Sequence, residues 1–137
     1  MSAPFQFDLV SPEAILVSKP VVSVVIPGTM GDFGVLADHA PLLSSIRPGV
    51  VRVSYEDGSN DNIYVAGGFA DVKDNLCTIL AEQAVDVSDL NKEELANLIQ
   101  DLEAQCKNCE GLEEEHYIRK QLEQAVAKLD ACHVYHV

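Results

Sequence analysis

Basic residues are scarce. The 137-residue chain has nine Lys or Arg against 22 Asp or Glu, a formal net charge of −13. Phosphate backbones and anionic headgroups are held by clustered cations, and these nine are scattered, so nucleic acid and the membrane surface are excluded as direct partners. Long apolar runs are also missing. The longest, around Pro20 to Pro27, falls far short of the roughly 20 residues that a spanning helix needs. No basic segment followed by an apolar one opens the chain, so a soluble protein is expected. Cys77, Cys106, Cys109 and Cys132 are too few and too unevenly spaced for a secreted disulfide framework, which points to reduced thiols in a cytoplasm-like compartment. The sequence contains no internal repeat and no low-complexity linker.

Hydrophobic residues make up 47% of the chain and charged residues 23%, as in globular proteins, and a chain of this length can bury roughly two-thirds of its unfolded surface. From Phe5 to about Val85 the pattern is that of strands. Phe5–Val10 alternates, Ile15–Val17 is a short apolar run, and Val21–Ile26 is β-branched except at Ser23. Val50–Tyr55 and Asn62–Ala66 flank Asp57-Gly58, a hairpin signal, and Phe69–Val72 and Leu76–Leu80 are joined through Lys73–Asn75. Short strands punctuated in this way predict a β-sandwich or a small barrel.

From Ser88 onward there is no Pro and one Gly. Leu90, Leu95, Leu98, Ile99 and Leu102 keep helical spacing behind Asn91 and Glu94, a capping pair. Cys106–Gly111 interrupts this pattern, and a second stripe runs through Leu112, Ile118, Leu122, Ala125, Val126 and Leu129. The short connection predicts an antiparallel helical hairpin. The expected domains are therefore 1–86 and 87–137.

Within the strand half lies Val25–Leu43, in which Gly28, Gly31 and Gly34 precede a lone His39 and Pro41. Such a segment could cradle phosphate, hold a metal or present a rigid edge to another protein. No Gly-Lys-Ser/Thr ending follows its glycines, so the phosphate reading lacks its cation. The next histidine is His116, so a metal at His39 lacks its partner ligands. A rigid edge remains. Cys106, Cys109, Cys132, His133 and His136 form an alternative zinc-binding or thiol-redox set. About twenty helical residues between Cys109 and Cys132 would hold them roughly 30 Å apart, beyond the reach of one ion.

Six segments then stand out together: Phe7–Glu13, Pro27–Leu36, His39–Leu43, Ile46–Gly49, Val65–Phe69 and Thr78–Glu82. In this order they resemble the epsilon subunit of F-type ATP synthases, whose mitochondrial equivalent is called delta. The resemblance implies a ten-stranded β-sandwich followed by a C-terminal antiparallel two-helix hairpin. It also implies a non-catalytic central-stalk subunit that needs no cofactor, couples proton-driven rotation of the c-ring to ATP synthesis, and can regulate hydrolysis through its hairpin. By analogy, Met30, Gly31 and Asp32 would face the c-ring and His39, Ala40, Pro41 and Leu42 the gamma subunit, with alpha and beta reached through the hairpin. The location implied is peripheral, at the cytoplasmic face of a bacterial inner membrane or on the matrix side of a mitochondrial one.

Two departures accompany the resemblance. Ala37-Asp38 stands where the family has Pro-Gly, so the turn entering His39 is expected to be the place of divergence. In the ATP-binding Ile/Leu-Asp-x-x-Arg-Ala motif of some relatives, Asn91 replaces the Asp and Glu94 the Arg, putting a carboxylate where phosphate would need a guanidinium. From Asp86 onward there are five Lys or Arg against twelve Asp or Glu. That balance weakens attraction to an acidic partner, and a mostly folded hairpin is expected.

Overall fold

The computed structural model describes residues 3–135. The chain divides between Asp86 and Val87 into two compact units. The first contains β1 (Phe5–Val10), β2 (Ile15–Val21), β3 (Ser23–Gly28), β4 (Gly31–Val35), β5 (Leu42–Ile46), β6 (Gly49–Ser54), β7 (Asn60–Val65), β8 (Gly68–Lys73), β9 (Leu76–Ala81) and β10 (Ala84–Asp86). The ladder runs β10-β7-β6-β3-β5-β8-β9-β1-β2, with β4 on β3. The halves β10-β7-β6-β3-β4 and β5-β8-β9-β1-β2 are joined where Gly28 pairs with Ile46. Neighbours are antiparallel except β1 and β9, which pair in parallel from Gln6–Leu76 to Val10–Leu80. The expected ten-stranded sandwich is the fold.

Period-2 alternation builds the core. Phe5, Phe7 and Leu9 of β1, Val51 and Val53 of β6, and Cys77 and Ile79 of β9 point into one apolar cluster, while their neighbours face outward. Burial pushes the Cys77 thiol up to about 12.

Several boundaries differ from the sequence expectation. β2 continues past Val17 through Pro20 to Val21. Proline is tolerated there because β2 pairs only with β1, leaving its other edge outside the ladder. The β8–β9 connection is the pair Asp74-Asn75, with φ 52° and 57°, the type I′ geometry that side-chain hydrogen bonding lets Asp and Asn adopt. The Val25–Leu43 segment is not one loop. Its first half is the β3–β4 hairpin, and its second leads through a turn into β5.

The second unit comprises a 3-10 turn (Val87–Asp89), α1 (Lys92–Asn108) and α2 (Leu112–Tyr135). Asn91 caps α1, its Oδ1 accepting from the amides of Glu93 (2.9 Å) and Glu94 (3.1 Å). α1 runs on to Asn108, so Cys106 is helical and only residues 109–111 separate the helices. Leu102, Ile118 and Ala125 form the hairpin's small core, with Ile99, Cys106, Cys109 and Leu122 packed against it. Leu98, Leu112 and Val126, expected on the buried stripe, are exposed. Leu112 is the first residue of α2, and a core of small cross-section leaves the margins of each stripe wet.

Candidate protein-contact surfaces

The β3–β4 hairpin projects a two-residue tip, Thr29-Met30, closed by the Gly28–Gly31 pair. Gly31 sits at φ 126°, a conformation other residues avoid. A Cβ on Gly28 would lie 2.8 Å from the Gly31 carbonyl oxygen and 2.9 Å from the Phe33 ring. Gly34 needs neither freedom: its φ is ordinary and nothing approaches its missing Cβ. Of the three glycines, Gly28 and Gly31 therefore shape the backbone here and Gly34 does not. Met30 is 98% exposed. The tip is braced from β5 and the turn after it: Thr29 N–H donates to the Ser45 carbonyl (3.1 Å) and Arg47 N–H to the Pro27 carbonyl (2.9 Å). The Arg47 guanidinium also pairs with the Asp32 carboxylate.

His39 follows a turn closed by its own N–H to the Leu36 carbonyl at 3.2 Å. Asp38, third in that turn, has φ 61° while Ala37 stays in the ordinary range. This is the type II pattern, which a Pro-Gly pair would also adopt. It is anchored by Asn75 of the β8–β9 turn, whose Oδ1 accepts from Asp38 N–H (2.6 Å) and whose Nδ2 donates to Asp38 Oδ1 (3.1 Å). Asn75, rather than the glycines, holds this turn. His39 is half-buried, with Nδ1 2.7 Å from the Ala40 carbonyl oxygen, and Ala40, Pro41 and Leu42 are exposed beyond it. The structure thus puts Met30–Asp32 and His39–Leu42 on different turns of one sandwich.

A third surface is not visible in the sequence. Register aligns Ser45, Phe69, Leu80, Val10 and Ile15 in one row across β5, β8, β9, β1 and β2. Phe69 and Leu80 are each 57% exposed, Ile15 is 68% and Leu43, two residues along β5, is 72%. Phe69 and Leu80 line a cavity of about 370 Å³, together with Val10, Pro12, Gly68 and Ala81 and the polar Ser11 and Glu82. Gly68 makes this geometry possible: it lies at φ 140°, and a Cβ there would fall 2.1 Å from the Leu80 carbonyl oxygen. The available signal was Gly67-Gly68 beside an outward-phase Phe69. Register across five strands cannot be read from one strand at a time.

The alternative ligand set is not brought together. Cys109 lies between the helices, its thiol donating to the Cys106 carbonyl at 3.1 Å, whereas Cys132 is buried in the last turns of α2. Burial and the neighbouring Cys106, Glu115 and Glu114 raise the Cys109 thiol, which disfavours the thiolate that metal binding and redox exchange require. Among the described residues no three His, Cys, Asp or Glu side chains are placed to hold a metal. His136 lies outside the described residues. Asn91, aligned with the aspartate of the nucleotide motif, has its carbonyl engaged by the α1 cap. No helix among the described residues is long and apolar enough to cross a membrane.

A β-sandwich followed by a helical hairpin, with braced turns and an exposed apolar row, defines a small two-unit protein with surface to offer other chains. Residues 4–87 match the family model described as ATP synthase, Delta/Epsilon chain, beta-sandwich domain. The chain is 46% identical over 129 residues to the ATP synthase epsilon chain of Sinorhizobium medicae, covering 94% of this chain and 92% of that protein. It is 51% identical over 94 residues to that of Rhodospirillum rubrum, covering 68% and 69%. Among solved structures it resembles a chain of the Euglena gracilis mitochondrial ATP synthase OSCP/F1/c-ring assembly, at TM-score 0.77 and 26% identity over 96% of this chain and 80% of that one. A chain of the Tetrahymena thermophila ATP synthase central stalk and c-ring shares the fold, at TM-score 0.66 and 12% identity over 95% and 97%. The chain belongs to the ATP synthase delta/epsilon family.

Proposed function

We propose that the chain is a non-catalytic rotor subunit of an F-type ATP synthase, coupling c-ring rotation driven by a proton gradient to ATP synthesis through contact with gamma. The observation that carries this is the exposed row Phe69, Leu80, Val10 and Ile15 with its cavity. A contiguous apolar surface of this kind is a liability for a free protein and a docking site for a bound one. In this reading the row and the His39–Leu42 turn meet gamma, and the braced Met30–Asp32 tip meets the polar loops of the c-ring. Torque is passed through a solid edge, and the brace supplied by Ser45, Arg47 and Pro27 makes that tip one. The subunit would sit peripherally, on the cytoplasmic face of a bacterial inner membrane or the matrix side of a mitochondrial one. The acid-rich hairpin regulates hydrolysis weakly, because repulsion opposes its docking on an acidic stretch of beta, and it is no usual nucleotide sensor.

Co-purification with the gamma subunit tests the docking. Phe69→Asp/Leu80→Asp alters two outward side chains of the sandwich and should reduce capture of gamma about tenfold or more while leaving the sandwich melt in place. Wild-type capture by a folded double variant would refute the apolar row as the gamma surface.

A further inference from the structure

The geometry points to Asn75 as a positioning residue for the His39 turn, acting from the β8–β9 turn, a different part of the chain. The inference rests on the reading that this turn meets gamma. A type II turn requires positive φ at its third position, where glycine is at ease and Asp depends on hydrogen bonding by its side chain. Asp38 stands there at φ 61°. What holds it is reciprocal: the Asn75 amide accepts from the Asp38 N–H at 2.6 Å and donates to the Asp38 carboxylate at 3.1 Å. The Asn75 carbonyl accepts from Gln6 N–H at 3.1 Å, so the anchor is itself tied to β1, the strand that contributes Val10 to the apolar row. One residue, its side-chain amide on Asp38 and its main-chain carbonyl on Gln6, therefore fixes the turn presenting His39 to Leu42 in register with the strand carrying the rest of the proposed contact. Asn75 also occupies positive φ, at 57°. Asn75→Gly removes the amide and leaves the Asp-Gly sequence that type I′ turns favour, so the β8–β9 hairpin is preserved.

The experiment uses the full chain in three variants: Asn75→Gly, Asp38→Gly and the double variant. Hydrogen exchange at the His39 amide, which bonds the Leu36 carbonyl, should accelerate about tenfold in Asn75→Gly, with core amides such as that of Val53 unmoved. Dissociation from gamma should quicken about three- to tenfold in the same variant. Asp38→Gly alone should behave as wild type, and adding it to Asn75→Gly should restore both readouts, because glycine holds the turn without a partner. A role for Asn75 only in local stability would not be repaired by a change at residue 38. The proposal is overturned if Asn75→Gly matches wild type in both readouts, or if the double variant stays as fast as Asn75→Gly. Leu42→Arg separates the two layers. If it weakens gamma binding while Asn75→Gly does not, the docking reading stands and the positioning role falls. If it leaves gamma binding unchanged, docking through this turn falls and takes the role of Asn75 with it.

Discussion

The two units of this chain achieve order by different means. The sandwich spreads its core over nine strands, from Phe5 on β1 to Ala81 on β9, and fixes its turns with backbone conformations at Gly31, Asp38, Asp74, Asn75 and Gly68 that few residues tolerate. Among the described residues the hairpin has no such position. It rests on helix-face side chains such as Leu95, Leu102, Ile118, Ala125 and Cys132, the cap at Asn91 and an i,i+4 pair between Arg119 and Glu115. Shape in the first unit is set by backbone stereochemistry, whereas in the second it depends on a few side chains that substitution can remove singly. A surface that must keep its form under load belongs on the first kind of scaffold, and an element that changes partners on the second.

Gly68→Ala should break the comparison most severely. Backbone strain at φ 140° adds to the clash with Leu80, and a loss of roughly 3 kcal/mol or more is expected in urea unfolding of the sandwich. Gly34→Ala, six residues beyond Gly28, should stay within about 0.5 kcal/mol of wild type. Next comes Ile118→Ala, which empties the middle of the hairpin core. It should cost about 2–4 kcal/mol, seen as early loss of the helical circular dichroism signal with the sandwich transition unmoved. A shift of both transitions together would mean that the units do not unfold independently.

A smaller effect in the sandwich depends on pH. Cys77 titrates near 9.0 when exposed and is pushed up to about 12 by burial, so the fold favours its neutral form. The stability this contributes is complete below pH 9 and lost as pH rises from 9 toward 12. The unfolding midpoint of the sandwich should therefore fall between pH 8 and 10 in the wild type, and less so in Cys77→Val. The smallest change concerns regulation: deleting residues after Val87 in the assembled enzyme should alter ATP hydrolysis by less than about twofold. A several-fold rise would show that the acid-rich hairpin inhibits despite its charge.

The division of labour was partly legible in the residues. Alternation in Phe5–Val10 and the spacing of Leu95, Leu102, Ile118 and Ala125 carried the strands and helices, because burial on one face leaves a period in the chain. Asp57-Gly58 announced its hairpin, and Gly58 lies at φ 89°. β4 and β5 were hidden. Gly31–Val35 contains two glycines and an exposed Asp, and Leu42–Ile46 has exposed leucines, so neither shows the apolar alternation of a half-buried strand. The candidate surfaces were legible as segments but not as an arrangement. Nothing in Asp38 or Asn75, 37 positions apart, signals their pairing, and the Phe69–Leu80–Val10–Ile15 row exists only once register aligns the strands.

The parallel pairing of β1 with β9 also bears on how the protein is made. Gln6 to Val10 leave the ribosome early, yet one edge of β1 must wait for Leu76 to Leu80. Until then any ribbon formed by β1 and β2 has an open edge, a template for unwanted pairing with neighbouring polypeptides. Closure of the sandwich is a late, non-local event, and the expected signature is slow folding dominated by loop closure. Chaperone demand should therefore be greatest for nascent chains that stop short of β9.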